Sequence, residues 1–337
     1  MTAMKALVYD KYGGIEKLHF DEVQVPEPKK GEILTRVHAT CINAGDLILL
    51  KGEPWVVRPL YGIFGPKYKI LGHDFSGIVS KLGEDVSEFK VGDAVYGFVP
   101  NFWNGAFTEY VCIPATSVVK KPENMSFEEA AAFPTAAITA LQPIRDYRTP
   151  PNPTPGRGSD STGTKEKAMI YGASGGVGSY AIQIAKAFGY EVTAVCSTRN
   201  VDQARLLGAD IVIDYKQQSP FKDPKREYAL VFACNGDNSI CSYTSLLKDG
   251  GVFANSGGSS SQTFSAIFKG ATFSRGKVFS HMLKLEKKDL EQISELFQAK
   301  KLDANIDKIF LKDQLIDAMK YFSEGKAKGK VVIKMVD

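Results

Sequence analysis

The feature that most constrains this chain is a glycine-rich turn between an apolar strand and a helix. Tyr171–Gly178 has the sequence YGASGGVG, in which glycines 172, 175 and 178 stand three apart. The first lacks a side chain that would block a tight turn, and the last allows the helix to pack closely on the strand. Gly175 and Gly176 let the backbone approach a pyrophosphate, which binds the free N–H groups at a helix N-terminus. The strand and helix around the turn favour a dinucleotide site over a glycine-rich turn that binds nothing.

The end of the next predicted strand, Glu191–Cys196, indicates which dinucleotide is bound. Enzymes that use NAD usually place Asp or Glu there to hold the ribose 2′-OH. This chain continues instead with Ser197, Thr198, Arg199 and Asn200. Hydroxyls and a guanidinium suit a 2′-phosphate, which a carboxylate would repel. The pattern predicts NADP(H) rather than NAD(H), unless Arg199 simply lies on the surface.

The order of predicted elements divides the chain. Short β segments separated by Gly, Pro and Asp fill the first part, and a capping box of Ser126 and Glu129 starts a helix. Strands then alternate with helices, which implies a parallel sheet with crossover helices. From Lys287 onward the order is helix, short strand, helix and final strand, which a return to the first domain would explain. The other predicted elements are strands at Lys5–Tyr9, Glu32–Ala39, Gly77–Lys81, Ala94–Phe98, Phe107–Val111, Ala168–Tyr171, Asp210–Ile213, Leu230–Ala233, Val252–Asn255, Ala304–Phe310 and Lys330–Lys334, and helices at Ser179–Phe188 and Val201–Leu207.

Composition narrows the classes of protein. The 337 residues have a net charge of +4, which is too small to imply a nucleic-acid or membrane partner. No apolar run approaches the roughly 18 residues that span a bilayer. Five cysteines without a CxxC pair argue against a disulfide framework or a structural zinc site. A strand-like segment from Lys5 leaves no room for a targeting peptide, so a cytoplasmic location is expected.

Further motifs follow one another along nearly the whole chain. They are INAGD (Ile42–Asp46), LGHDFSGIV (Leu71–Val79), VGDAVYG (Val91–Gly97), GAFTEYV (Gly105–Val111), the pair Thr135-Ala136 with Thr139–Leu141, LGAD-IVIDY (Leu207–Tyr215), DGGVFANSGG (Asp249–Gly258) and GKVVIKM (Gly329–Met335). Together with GASGGVG they resemble the medium-chain dehydrogenase/reductase superfamily, specifically its zinc-free quinone oxidoreductase (zeta-crystallin-like) branch. The resemblance implies an α/β fold: a GroES-like β-rich catalytic domain plus a Rossmann domain with a doubly wound parallel sheet. The division it implies gives residues 1–125 and 269–337 to the catalytic domain and 126–268 to the NADP-binding domain.

The same resemblance argues against a metal site. The zinc branch takes one Cys from the segment matching INAGD, a His from GHE, and a second Cys before the Rossmann domain. Here Asn43 holds the first position, His73 survives and is followed by Asp74, and Thr135 lies near the third. One imidazole beside a carboxylate is not the three protein ligands that a catalytic zinc needs. We therefore expect no metal, and we expect His73 to be structural or to line the pocket.

The resemblance also implies roles for single residues. Asn43 and Thr135 are expected to border the nicotinamide as the catalytic residues. No general acid is evident, because Leu47 follows INAGD where this branch often has a Tyr. The expected cofactor-binding residues are Ser174, Gly175, Gly176 and Val177 at the pyrophosphate, Ser197, Thr198, Arg199 and Tyr215 at the 2′-phosphate, Asn235 and Gly236 at the ribose, Ser256 and Gly257 at a strand end, Val278 and Phe279 at the nicotinamide, and Lys330 near a phosphate.

The missing zinc ligands shape the expected reaction. Alcohol oxidation loses its Lewis acid, whereas hydride transfer from a nicotinamide to an electron-poor acceptor stays feasible. We therefore expect zinc-independent, NADPH-dependent reduction of quinones or other α,β-unsaturated carbonyls. The alternatives are an alcohol or aldehyde dehydrogenase of the same superfamily, and a non-catalytic NADPH-binding regulatory protein.

The expected partners are the small-molecule quinone or enone and, as a family trait, a second copy of the chain in a homodimer. Two segments stay open. The loop Lys51–Tyr68, with Trp55, Tyr61 and Phe64, either walls a flat aromatic acceptor or packs on itself or at a subunit contact. Thr149–Lys167, rich in Pro, Gly, Ser and Thr, is expected to be a surface excursion without a binding role.

Overall fold

The predicted strands and helices occur in the computed structural model in the predicted order, together with further elements that the sequence analysis did not predict. The structure describes residues 2–100, 104–147, 165–222, 227–234, 236, 238–257, 277–281 and 283–336. The strands are β1 (Ala3–Tyr9), β2 (Leu18–Gln24), β3 (Glu32–Ile42), β4 (Asp74–Leu82), β5 (Ala94–Phe98), β6 (Tyr110–Pro114), β7 (Val118–Lys120), β8 (Lys167–Tyr171), β9 (Glu191–Cys196), β10 (Ile211–Asp214), β11 (Tyr228–Cys234), β12 (Leu247–Ser256), β13 (Lys277–Ser280), β14 (Ile306–Leu311) and β15 (Lys330–Lys334). The helices are α1 (Ala44–Lys51), α2 (Arg58–Tyr61), α3 (Phe127–Ala132), α4 (Pro134–Asp146), α5 (Gly176–Ala187), α6 (Val201–Leu206), α7 (Ile240–Thr244), α8 (Lys287–Gln298) and α9 (Leu315–Ser323).

The first unit comprises Met1–Thr135, Leu285–Gln298 and Ala304–Asp337. Its main sheet has the order β14-β15-β3-β4-β5-β7, with β6 also paired to β3. Strands β14 and β15 are parallel, and the other neighbours are antiparallel. Strands β1 and β2 form a separate antiparallel pair. The C-terminal strand β15 thus completes a sheet that the N-terminal part of the chain begins.

The second unit comprises Ala136–Lys284 and Ala299–Asp303. Its sheet has the order β10-β9-β8-β11-β12-β13, and every pair of neighbours is parallel. The chain moves outward from β8 in one direction and then from β11 in the other, so the strand order reverses between these two strands. This is the order of a doubly wound dinucleotide-binding sheet, and the predicted Rossmann sheet is confirmed.

Each unit buries its own apolar core. In the first unit Leu7, Phe75 and Val95 belong to one cluster of buried side chains. In the second unit Val231 and Phe253 belong to another. No helix among the described residues combines the length and the apolar character of a membrane span.

The predicted elements differ from the structure at a few places. The strand expected at Phe107–Val111 is β6, which begins three residues later, because the Phe107 N–H bonds Leu71 O and its carbonyl accepts from Leu7 N outside that strand. The helix expected from Ser179 already begins at Gly176. The predicted capping box of α3 is confirmed, since Glu129 N donates to Ser126 Oγ. Residues 149–164 of the expected excursion, and the expected domain boundary at 268–269, lie outside the described residues.

Candidate active site

The sheet of the first unit brings together residues that are far apart in the sequence. Asn43 directly follows β3 and precedes α1, Asp74 is the first residue of β4, and Lys330 is the first residue of β15. The register pairs Cys41 with Asp74 across β3 and β4, and Ile42 with Val331 across β3 and β15. The three side chains therefore share one end of neighbouring strands.

Hydrogen bonds join these side chains to Thr135 in one buried cluster. Lys330 Nζ donates to Asn43 Oδ1 at 2.6 Å, and Asn43 Nδ2 donates to Asp74 Oδ2 at 2.9 Å. Thr135 donates twice to Asp74 Oδ1, from its backbone N at 3.0 Å and from Oγ1 at 2.5 Å. Lys330 Nζ also lies 3.9 Å from Asp74 Oδ2, and these two side chains are 4% and 0% exposed. The two predicted catalytic residues, Asn43 and Thr135, are thus held by one carboxylate that the predicted site did not include.

A second carboxylate, that of Asp46 in the first turn of α1, lies directly beside this cluster. Its Oδ2 accepts from the backbone N of Asn43 at 2.7 Å. Its Oδ1 accepts from the backbone N of Gly72 at 2.9 Å and contacts His73 Nδ1 at 2.8 Å. Because an ionised carboxylate only accepts, Nδ1 carries a hydrogen. Asp46 is fully buried, whereas the His73 side chain keeps 19% of its exposure. The N-x-x-D spacing within INAGD is the sequence signal from which the contact between Asp46 and the backbone N of Asn43 could have been predicted.

Burial and charge shift the pKa values of this cluster in different directions. Burial raises the pKa of Asp74, and it outweighs Lys330 and the donors from Thr135 and Asn43, which lower it. Burial alone would lower the pKa of His73, but the Asp46 carboxylate more than offsets it, so the pKa lies above its ordinary value. Burial raises the pKa of the Cys41 thiol to about 12. Cys41 is therefore a neutral thiol near neutral pH.

The donors at this position do not fit a catalytic zinc ion. By the resemblance, Asn43 stands at the position of one thiolate ligand and Thr135 lies near that of the other. Both oxygens of Asp74 already accept hydrogen bonds from these two residues. Within the described ranges no group of three or more His, Cys, Asp and Glu side chains is placed to hold a metal ion. His73, expected to be structural or to line the pocket, is paired with Asp46 at one nitrogen.

The glycine-rich turn of the second unit fits a pyrophosphate. A Cβ at Gly172, which has φ of +76°, would lie 2.2 Å from the carbonyl oxygen of Cys234. A Cβ at Gly178 would lie 2.2 Å from the carbonyl oxygen of Gly172, so both positions exclude larger residues. At Gly175 the nearest atom to a Cβ would be 3.9 Å away. The turn is thus closed on the protein side and open at Gly175, beside the N-terminus of α5, where anions bind.

The residues predicted to hold the 2′-phosphate lie together at the ends of β9 and β10. Ser197 follows β9 and is buried, whereas Thr198 and Arg199 are exposed in a short turn. The backbone N of Tyr215 donates to Cys196 O at 3.0 Å, which holds Tyr215 beside the end of β9. Asp214 accepts from its own loop, from Lys216 N at 3.0 Å.

The other predicted cofactor residues occupy varied places. Ser256 ends β12 and Gly257 follows it, at the strand ends where such sheets bind ligands. In β13, Val278 is buried in the core, and Phe279 stacks on Tyr147 with ring centroids 4.1 Å apart. Ser174, Gly176 and Val177 are half-buried in or next to the glycine-rich turn, Gly236 is buried, and Asn235 lies outside the described residues.

The loop after α1 does not bury its aromatic side chains. Trp55 is 75% exposed and Phe64 is fully exposed, while Tyr61 is half-buried. Tyr12 Oη donates to Gly62 O at 2.7 Å, which ties the loop to the segment after β1. Of the alternatives for this loop, packing on itself therefore does not account for Trp55 and Phe64.

Comparison with known proteins places this geometry in a family. One family model, described as alcohol dehydrogenase GroES-like domain, matches residues 29–123, and another, described as zinc-binding dehydrogenase, matches residues 207–333. The chain is 32% identical over 336 residues to a chloroplast envelope quinone oxidoreductase homolog of Arabidopsis thaliana, covering 98% of each chain. It is 31% identical to the mitochondrial NAD(P)H oxidoreductase RTN4IP1 of Bos taurus, covering 99% of this chain and 90% of that one.

A solved structure agrees with these relatives. The quinone oxidoreductase from Coxiella burnetii superposes with a TM-score of 0.85 at 27% identity, over 99% of this chain and 100% of that one. The predicted α/β fold, with a GroES-like domain and a Rossmann domain, and the predicted enzyme class are confirmed. The chain is a member of the medium-chain dehydrogenase/reductase superfamily, in its quinone oxidoreductase branch, and is an NAD(P)-dependent oxidoreductase.

Proposed function

We propose that the protein is a zinc-independent, NADPH-dependent reductase of quinones or other α,β-unsaturated carbonyls. The observation that supports this best is the buried cluster of Asn43, Asp74, Thr135 and Lys330 at the place where the zinc branch holds its metal. Its polar groups bond one another. It therefore offers no Lewis acid that would polarise an unactivated alcohol or ketone.

The acceptor must then be electrophilic without such help. Bound NADPH supplies the hydride, and the protein supplies orientation and a water-poor pocket. Asn43 uses both ends of its amide within the cluster, and the Thr135 hydroxyl donates to Asp74. We assign Asn43 and Thr135 the role of rigidly held side chains that border the nicotinamide and do not exchange protons with the substrate. Quinones and enones accept a hydride under these conditions, because their product anions are stabilised by conjugation.

The preference for NADPH rests on the residues after β9. Ser197, Arg199 and Tyr215 offer two hydroxyls and a guanidinium. A charge-assisted hydrogen bond to a phosphate is worth about 1.5–3 kcal/mol, which is roughly ten- to a hundredfold in Kd. Arg199→Glu should therefore raise the Kd of NADPH at least tenfold and change that of NADH less than about twofold. Arg205→Glu, which reverses an exposed charge on the adjacent α6, is the matched control. Equal losses for both cofactors in Arg199→Glu would refute the assignment.

The reaction is tested by the loss of NADPH absorbance with an ortho-quinone or an enone as acceptor. A parallel reaction offers NADP⁺ with a primary alcohol. We expect turnover with the electrophilic acceptors and none with the alcohol. Turnover of the alcohol alone, or tight NADPH binding without any turnover, would refute the proposal. A homodimer and a cytoplasmic location stay predictions, which light scattering of the purified protein and fluorescence microscopy of the tagged protein test.

A further inference from the structure

The proposed reaction needs a proton as well as a hydride. Addition of a hydride to a quinone leaves a hydroquinone monoanion, and addition to the β-carbon of an enone leaves an enolate. Each anion must take up one proton to give the neutral product. The sequence motifs indicate no donor for this proton. Asn43 and Thr135, which we placed beside the nicotinamide, already donate their side-chain N–H and O–H groups to Asp74.

The imidazole of His73 has one ring nitrogen, Nε2, that is not used in the hydrogen bonds of this cluster. His73 Nδ1 donates to Asp46, whose carboxylate is also fixed by the backbone N–H groups of Asn43 and Gly72. The ring lies against the first turn of α1, where a Cβ on Gly45 would be 3.4 Å from His73 Cε1. The side chain keeps 19% of its exposure, and no residue within the described ranges bonds Nε2. Asp46 thus fixes the tautomer and orientation of an imidazole whose other nitrogen reaches solvent.

We propose that His73, oriented by Asp46, donates this proton. The inference rests on the proposed function and deepens it. The N–H bond at Nε2 breaks as an O–H bond forms on the hydroquinone monoanion, or as an O–H or C–H bond forms on the enolate. The electron pair of the broken bond stays on the imidazole, which becomes neutral and keeps its Nδ1–H bond to Asp46. Solvent then returns a proton to Nε2.

The charges around the ring favour this role. Asp46 faces it from α1, Asp74 follows it at the start of β4, and Lys330 faces it from β15. Burial and Lys330 act against the imidazolium, while the two carboxylates favour it, and the net effect raises the pKa of His73. The imidazolium, which is the form that a general acid needs, therefore persists to higher pH than in an unperturbed histidine.

Other proton carriers of the cluster are less suited. Lys330 is 3% exposed, and its ammonium bonds Asn43. The Cys41 thiol is fully buried, and burial raises its pKa to about 12. Tyr9 is 2% exposed, and burial raises its pKa far above the ordinary value of 10.0. Of these groups, His73 alone combines a partly exposed side chain with a ring nitrogen that bonds no other described residue.

The test compares two replacements at one position. In His73→Asn the amide reproduces the hydrogen bond from Nδ1 to Asp46 but holds no titratable proton, and His73→Gln is a second variant should the first fail to fold. General acid catalysis contributes about 10²–10⁴-fold, so kcat with a quinone should fall at least a hundredfold while the Kd of NADPH stays within about twofold. His19→Gln, at an exposed histidine of β2, is the matched control and should retain wild-type kcat.

The pH dependence separates a proton donor from a structural residue. A donor acts only when protonated, so wild-type kcat should be high at low pH and fall as pH rises above the ordinary value of 6.5. In His73→Asn this limb should disappear. If His73 is only structural, the asparagine restores kcat and leaves the pH profile unchanged, which would overturn the proposal.

An NMR titration, which needs no turnover, tests the pair of His73 and Asp46 directly. The chain has four histidines, and the imidazole NMR signal missing from His73→Asn identifies His73. Its titration midpoint should lie above 6.5 and should fall in Asp46→Asn. A midpoint below 6.5 would overturn the proposal even if the enzyme is active. No turnover by the wild-type protein with any quinone or enone would refute the proposed function and this proposal with it. Turnover that survives His73→Asn would refute this proposal alone.

Discussion

Replacing Lys330 with methionine tests how the buried cluster is held together. Methionine keeps the unbranched apolar stem and removes the ammonium. Asn43 Oδ1 then loses its donor at 2.6 Å, and Asp74 loses the cation 3.9 Å away. Breaking a buried ion pair from one side costs about 3–5 kcal/mol. Asp74 keeps its donors from Thr135 and Asn43, so we expect the lower end, about 3 kcal/mol of unfolding free energy.

Replacing Asp74, the charge partner of Lys330, gives the complementary test. Asp74→Asn leaves the Lys330 ammonium buried beside a neutral group, and a similar loss of about 3 kcal/mol is expected. The double variant removes both charges, so it should lose clearly less than the sum of the two single losses. Contacting charges couple by about 0.5–3 kcal/mol, and at 3.9 Å within a buried site we expect about 2 kcal/mol.

Native-state hydrogen exchange is the suitable assay. The chain has two units, and a single two-state unfolding curve is not assured for such a protein. Peptides that cover β3, β4 and β15 report the opening free energy of the first unit directly. Losses that add within about 0.5 kcal/mol would show that Lys330 and Asp74 act independently, and would refute the view of one linked cluster.

Two further predictions concern the glycine-rich turn and His73. In Gly178→Ala the new Cβ would lie 2.2 Å from Gly172 O, so the variant should lose about 3 kcal/mol of stability by overpacking. In Gly175→Ala no atom lies nearer than 3.9 Å to the new Cβ, so Tm should stay unchanged while NADPH binding weakens at least tenfold. Calorimetry and cofactor titration check both variants, and the reverse pattern would contradict the assignment of this turn to the pyrophosphate. The raised pKa of His73 implies stabilisation that is complete below 6.5, the ordinary histidine value, and lost as pH rises through the folded-state pKa. The difference in opening free energy of the first unit between wild type and His73→Asn, measured by native-state hydrogen exchange, should thus be larger at about pH 6 than at about pH 8.5. A difference that does not change with pH would argue against the ion pair.

Much of the fold could be predicted because its signals are local. Strands β5, β9 and β15 have the predicted bounds, since β-branched and aromatic runs between turn residues mark them. The run Ala130–Leu141 is harder to interpret, because its mostly small side chains carry no clear amphipathic pattern. It forms the end of α3 and the start of α4, and Pro134 is tolerated as the first residue of α4.

The candidate site could be predicted only in part. The motifs pointed to Asn43 and Thr135, but not to the carboxylate that joins them. Their link through Asp74 depends on the register of β3 with β4, and the link to Lys330 depends on a strand 287 positions away in the sequence. The expectation that Lys330 lies near a phosphate stays a prediction, and its bond to Asn43 within the cluster was not foreseen. Such pairings are set by sheet topology, which no local pattern specifies.

The most direct test of a zinc-independent reductase is turnover by protein that holds no metal. The protein is stripped with a chelator, its metal content is measured by mass spectrometry, and NADPH oxidation by an ortho-quinone is followed with the chelator present. Because Asn43 and Thr135 bond Asp74 and supply no thiolate, we predict the same rate with and without chelator. A rate that disappears with the chelator and returns on addition of Zn²⁺ would contradict the account.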